Sequence, residues 1–195
     1  RPELMVAGKV TPPRLDLANE DLIRSHVHGI WLAETGQGLG RSLRDILALS
    51  ADDLSLPLLD SVRDNLNDPG AKARARRRAE SVLNTIRSEL EAAEWHTDRW
   101  LDEVLDAAPR RFDQACERWR GLYRSAMNQR DAQDAIIRDA SRSSDDKQQA
   151  KRLRQEAESQ LELLTEADNL SQSDFYSYRY FASEGFLPGY SFPRL

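Results

Sequence analysis

The stretch PRRFDQACERWRGLYRSAMNQRDAQDAIIRDA, residues 109–140, decides the fold class. Phe112, Cys116, Trp119, Tyr123 and Met127 recur at steps of three and four, and Ile136 and Ile137 continue the row. That is the period of a helix with one buried face, not the alternation of a strand. Pro109 suits the first turn of such a helix, where its missing N–H costs nothing. Unbroken to Ala140, the helix would be about 45 Å long at about 1.5 Å per residue.

Working outward, the same period returns on both sides. Trp100, Leu101, Val104, Leu105 and Ala108 form one stripe, and Ala75, Ala79, Val82, Ile86, Leu90 and Ala93 an earlier one. After the breaker SRSSDDKQQA (141–150), with Ser144 as cap, Leu153, Ala157, Leu161 and Leu164 mark a last helix. Near the start, Asn19 is a good N-cap, and Glu20 and Asp21 suit the positive end of a helix. Leu22, Ile23, Val27, Ile30, Trp31 and Ala33 continue that helix until Gly36, Gly38 and Gly40 stop it. Short helical pieces are expected over 41–49 and 58–66. No strand-like segment of useful length and no internal repeat is visible.

The expected fold is therefore all-α: an antiparallel bundle of three to four long helices, with short extra helices and extended, aromatic-rich termini. Residues 1–18, with Pro2, Gly8, Pro12 and Pro13, read as an extended lead-in. Residues 19–170 read as the helical bundle, and 171–195 as an aromatic, Pro/Gly-containing junction.

Composition narrows the function. The 195 residues are 31% charged and 39% apolar, a mixture that favours long helices. A net charge of −5 argues against a chain that is basic throughout. One cysteine, Cys116, excludes an internal disulfide framework and suits a reducing, cytoplasmic compartment. No apolar run approaches the roughly 20 residues that span a bilayer, so no membrane partner is expected. The chain opens on Arg1-Pro2-Glu3 without an initiator Met and reads as a piece of a larger protein.

Catalytic constellations do not appear. The phosphate loop G-x-x-x-x-G-K-[ST], the dinucleotide motif G-x-G-x-x-G, G-x-S-x-G and H-E-x-x-H are all missing. GQGLG (36–40) has no following Lys-Ser/Thr and reads as a helix stop. His26 and His28 lie about 200° apart on a helix, so they diverge rather than share a metal. Cys116 sits in an apolar stripe with no nearby base. No catalytic, cofactor-binding or metal residue is expected.

Charge is blocky, and this is where binding could reside. Arg74, Arg76, Arg77 and Arg78 lie at the start of a helix, where cations oppose the macrodipole. Something else must favour them: phosphates of a nucleic acid, or an acidic neighbour such as the block over 89–106. Eight of the fourteen aromatic residues fall between Phe175 and Phe192. Tyr176, Tyr178, Tyr180, Phe181, Phe186, Tyr190 and Phe192 could pack at a domain junction. With Arg179 interleaved, they could also stack on bases.

Two stretches also resemble a known family. VTPPRLDLANEDLIRSHVHGIWLAETG (10–36) and FYSYRYFASEGFLPGYSFPRL (175–195) are similar to segments of large bacterial superfamily 2 DEAD/DEAH-type DNA helicases. Among these are the helicase-like proteins of DISARM-type phage defence and actinobacterial relatives. The resemblance covers the two ends; 37–174 matches only as a generic helical region. It implies a non-catalytic accessory domain of an ATP-dependent DNA helicase, with the parent's remaining domains and DNA as partners. ATP and Mg2+ would belong to the parent's motor domains, whose motifs are missing from this chain. The alternative is a structural or protein-interaction bundle without nucleic-acid contact.

Overall fold

The computed structural model describes residues 18–50, 54–165 and 176–189. Residues 1–17 of the lead-in over 1–18, and 171–175 and 190–195 of the junction, with Tyr190 and Phe192, lie outside these. Among the described residues the chain is mostly helical and has no strand; one isolated bridge joins Leu47 and Leu58. In chain order the helices are α1 (Glu20–Thr35), α2 (Asp60–Leu66), α3 (Pro69–Thr85), α4 (Arg87–Leu90), α5 (Trp100–Ala115), α6 (Glu117–Arg138), α7 (Ser144–Thr165) and α8 (Tyr176–Ser183).

Local chemistry fixes the helix ends. The Asn19 side chain accepts from the Leu22 N–H at 2.9 Å, and Gly36 closes α1 in the left-handed conformation at φ 68°. Asp68 caps α3 by accepting from the Gly70 and Ala71 N–H groups at 2.9 and 3.0 Å, and Pro69 fills the first turn. The cap of α7 is Ser143, whose hydroxyl accepts from the Asp146 N–H at 3.1 Å, one residue before the expected Ser144.

α1, α3 and α5 form the centre of one core, to which α2, α4, α6 and α8 also contribute. The stripe Ala71, Ala75, Ala79 and Leu83 faces inward on α3, and the small alanines let α1 approach closely. Opposite them stand Ile23, Val27, Trp31 and Leu32 of α1 and Val104, Leu105, Ala108 and Phe112 of α5. Val82, expected to face inward, is 48% exposed; Leu83 takes that place, and the helix ends before Ile86. α6 and α7 form a hairpin of two 22-residue helices. It is pinned at its base by the Ser42 hydroxyl, which donates to the Leu164 carbonyl at 3.1 Å.

Two boundaries differ from the sequence reading. α5 runs straight through Pro109 and stops at Ala115, so the helix expected from Pro109 to Ala140 does not exist. An interior proline costs a helix about 3 kcal/mol. The apolar row Val104, Leu105, Ala108 and Phe112 spans it, and each large side chain recovers roughly 1.5–3 kcal/mol on burial. The second difference is the tail: residues 176–183, expected to be extended, form α8.

The α5–α6 bend is clamped by a buried arginine. Arg120 is 3% exposed. Its Nε donates to the Leu56 carbonyl at 2.8 Å, and its Nη1 to the Asp113 carbonyl at 3.0 Å and Glu117 at 2.6 Å. Burial works against this charge, but the bonds to Asp113 and Glu117 outweigh it and keep the group protonated. Leu56 has φ 49°, a left-handed conformation that costs a non-glycine residue on the order of 1–3 kcal/mol. Complete burial of its side chain and the Arg120 bond hold it there. Arg120→Met should lower stability by about 2–4 kcal/mol, because the Leu56 carbonyl loses its donor and the Asp113 and Glu117 carboxylates lose their charged partner. Urea unfolding checks this; a loss below about 1 kcal/mol would show the clamp to be incidental.

Candidate nucleic-acid interface

The basic run on α3 is largely consumed by ion pairs inside the chain. α1 and α3 run antiparallel, so the start of α3 lies beside the end of α1. There Arg74 and Arg78 reach Glu34 at 3.2 and 3.0 Å, and Arg74 also donates to the Glu34 carbonyl at 2.9 Å. On the other side, Arg76 meets Asp102 at 2.7 Å and Glu80, and Lys72 pairs with Asp106. The hydrogen bond from Arg78, helped by Arg74, holds the Glu34 carboxyl below its ordinary range; Arg76 does the same to Asp102. Arg77 is exposed and has no acidic partner among the described residues.

The acidic partners expected over 89–106 therefore supply part of the answer, through Asp102 and Asp106. Glu34 was not foreseen. Its signal was an acid in the last turn of α1, where no basic residue offsets the negative end of the helix. Two misplaced charge signs, acid at a C-terminus and base at an N-terminus, complete each other across the α1–α3 contact.

Among the described residues of the aromatic strip, Tyr180, Phe181 and Phe186 lie inside the chain's own core. Phe181 is fully buried and stacks on Phe112 with ring centroids 4.6 Å apart. Phe186 is 3% exposed and stacks on His28 at 4.4 Å, with the edge of Trp31 at 6.3 Å. Tyr180 is buried, and its hydroxyl donates to the Ala115 carbonyl at 2.7 Å while accepting from the Trp119 N–H at 3.1 Å. Tyr176 and Tyr178 are half-buried, the latter donating to the Pro188 carbonyl at 2.6 Å. Arg179 is exposed. The structure thus separates the candidates: Arg77 and Arg179 face solvent on different helices, whereas Tyr180, Phe181 and Phe186 have partners within the chain.

The remaining motif residues have structural surroundings. GQGLG stops α1, and its last residue, Gly40 at φ 65°, faces the Asp45 side chain so closely that a Cβ would lie 2.5 Å from Oδ2. That carboxylate accepts the Arg41 N–H at 2.9 Å. Burial pushes the Cys116 thiol up to about 12, the opposite of an activated nucleophile. His26 and His28 diverge: His26 Nδ1 lies 2.8 Å from the Leu22 carbonyl, while His28 Nδ1 lies 3.0 Å from that of Phe186. Among the described residues no group of His, Cys, Asp or Glu could hold a metal, and no helix is long and apolar enough to cross a membrane. No family model, curated protein or solved structure matches the chain.

His28 makes the site pH-sensitive in a defined direction. Burial lowers its pKa from 6.5 to about 4; the Phe186 carbonyl opposes the shift, and the charges of Arg111 and Arg24 reinforce it. The unfolded chain binds this proton first, so the neutral imidazole's full contribution is present above pH 6.5 and drains away as pH falls toward 4. The stability difference between wild type and His28→Gln should shrink by about 3 kcal/mol between pH 7 and pH 4. Urea titrations of both proteins at each pH measure it; a constant difference would contradict a buried neutral His28.

Proposed function

We propose that the chain is a non-catalytic accessory module of an ATP-dependent bacterial DNA helicase, whose helices brace the motor domains. One observation carries this reading. The two stretches that resemble helicase segments, 10–36 and 175–195, meet in the fold. His28 and Phe186, 158 positions apart, share a 3.0 Å hydrogen-bonding contact and a ring stack at 4.4 Å. Gly29 adds close packing, since a Cβ there would lie 3.9 Å from Pro188. The helical region between them then reads as an excursion that leaves and rejoins one surface. ATP and Mg2+ would act on the parent's motor domains, and the module itself would hydrolyse nothing.

Bracing is favoured over DNA guidance on the α3 face, because Arg74, Arg76 and Arg78 are engaged by acids of neighbouring helices. Phosphates would have to displace those carboxylates. The same pairing supports a second reading, a structural or protein-interaction module without nucleic-acid contact.

Two measurements separate these. Fluorescence anisotropy with single-stranded, duplex and forked DNA, titrated from low to physiological salt, should show no binding that Arg77→Glu/Arg179→Glu abolishes. Both side chains face solvent, so the variant should keep its fold. Steeply salt-dependent binding lost in this variant would overturn the bracing reading in favour of DNA guidance. Sequencing the gene outward should find a phosphate loop and an acidic box in the same reading frame; a frame without them sinks the helicase reading.

A further inference from the structure

Tyr180 occupies an unusual place in the backbone. In an uninterrupted helix the Trp119 N–H would donate to the Ala115 carbonyl four residues earlier. Instead the Tyr180 hydroxyl stands between them, accepting from Trp119 at 3.1 Å and donating to Ala115 at 2.7 Å. A side chain inserted into the i→i−4 ladder is one of the few established causes of a sharp helix bend. The other causes are missing at the break: Ala115, Cys116 and Glu117 include neither proline nor glycine.

The backbone at the break is nearly helical already. Cys116 has φ −76° and ψ −11°, inside the right-handed region and about 30° in ψ from an α-helix. The neighbouring groups are satisfied without Tyr180: the Cys116 N–H and the Arg120 side chain donate to the Asp113 carbonyl, and the Arg120 N–H donates to the Cys116 carbonyl. The residues that supply the wedge belong to α8, an eight-residue helix too short to be stable alone. Its position depends on Phe181 and Phe186 seating against α5 and α1.

We infer that the α5–α6 bend is a conformational device worked by α8. With α8 docked, the Tyr180 hydroxyl holds the ladder open and sets the direction of the α6–α7 hairpin. With α8 withdrawn, Trp119 bonds to Ala115 directly, α5 and α6 join, and the hairpin swings. The aromatic strip thereby transmits whatever pulls on it to the tip of the arm. This inference stands apart from the proposed function, since it concerns the chain's own mechanics and holds whether or not the parent is a helicase.

The test is a distance measurement between spin labels on Ala73→Cys in α3 and Ala140→Cys at the hairpin tip. Both positions are exposed, and the native Cys116 is buried and unreactive. Wild type should give one narrow distance distribution. Tyr180→Phe keeps the ring and removes the wedge; α6 is about 33 Å long, so straightening by 20° moves the tip by about 11 Å. A shifted or second population of that order supports the device. An unchanged distribution, with native helical circular dichroism, overturns it and leaves the bend to Arg120 and packing. Should Tyr180→Phe fail to fold, Phe181→Leu keeps the hydroxyl but loosens α8. A second population then supports the device, and a single unchanged one overturns it.

Discussion

Closure of the core depends on the ring of Phe181. It is fully buried, stacks on Phe112 at 4.6 Å, and meets Tyr180 and Phe186 edge-on at 5.6 and 6.0 Å. Through Phe186 the contact reaches His28 and Trp31 of α1. One side chain thus links α5, α8 and α1. A buried aromatic ring contributes roughly 1.5–3 kcal/mol by area, and each oriented pair about 0.5–1.5 kcal/mol more. Because α8 is too short to persist alone, these contacts create the helix as well as place it. Everything that follows from α8, including the occupied Tyr180 hydroxyl, rests on that ring.

Orientation of the helices is a separate matter, and charge decides it. α1 ends on Glu34 with no base in its last turn, and α3 begins with Lys72, Arg74, Arg76 and Arg78. In isolation each helix carries these particular charges at the wrong end of its dipole. Laid antiparallel, each supplies what the other lacks. α5 repeats the logic, presenting Asp102 and Asp106 to Arg76 and Lys72. Exposed pairs of this kind are screened and individually weak, so they select among packings instead of supplying the stability. The alanine stripe on α3 would tolerate either direction; the charges would not.

The split between what could and could not be read from the sequence follows from range. Caps and stops are local, and Asn19 and Gly36 act where the residues alone place them. The helical period is local too, so α1 and the inward faces of α5 and α6 were legible. Failures arise where a distant side chain decides. Pro109 looked like a helix start because proline's local cost is visible and the burial that offsets it is not. The break at Cys116 has no proline or glycine to announce it, and the hydroxyl that sits between Ala115 and Trp119 belongs to a tyrosine 64 positions after it. Glu34 and Arg120 were missed for the same reason: their roles lie in partners that only the fold brings near.

The aromatic strip shows why composition left two readings open. Rings that stack on bases and rings that fill a core have the same residue types and the same interleaved arginine. What separates them is whether their surfaces and polar atoms are already used. Tyr180 has its hydroxyl bonded as both donor and acceptor, and the faces of Phe181 and Phe186 are covered by Phe112 and His28. A base could reach them only by unpacking the core. Among the described residues of the strip, Tyr176, Tyr178 and Arg179 keep surface to spare, and these are the ones a ligand could meet without that unpacking.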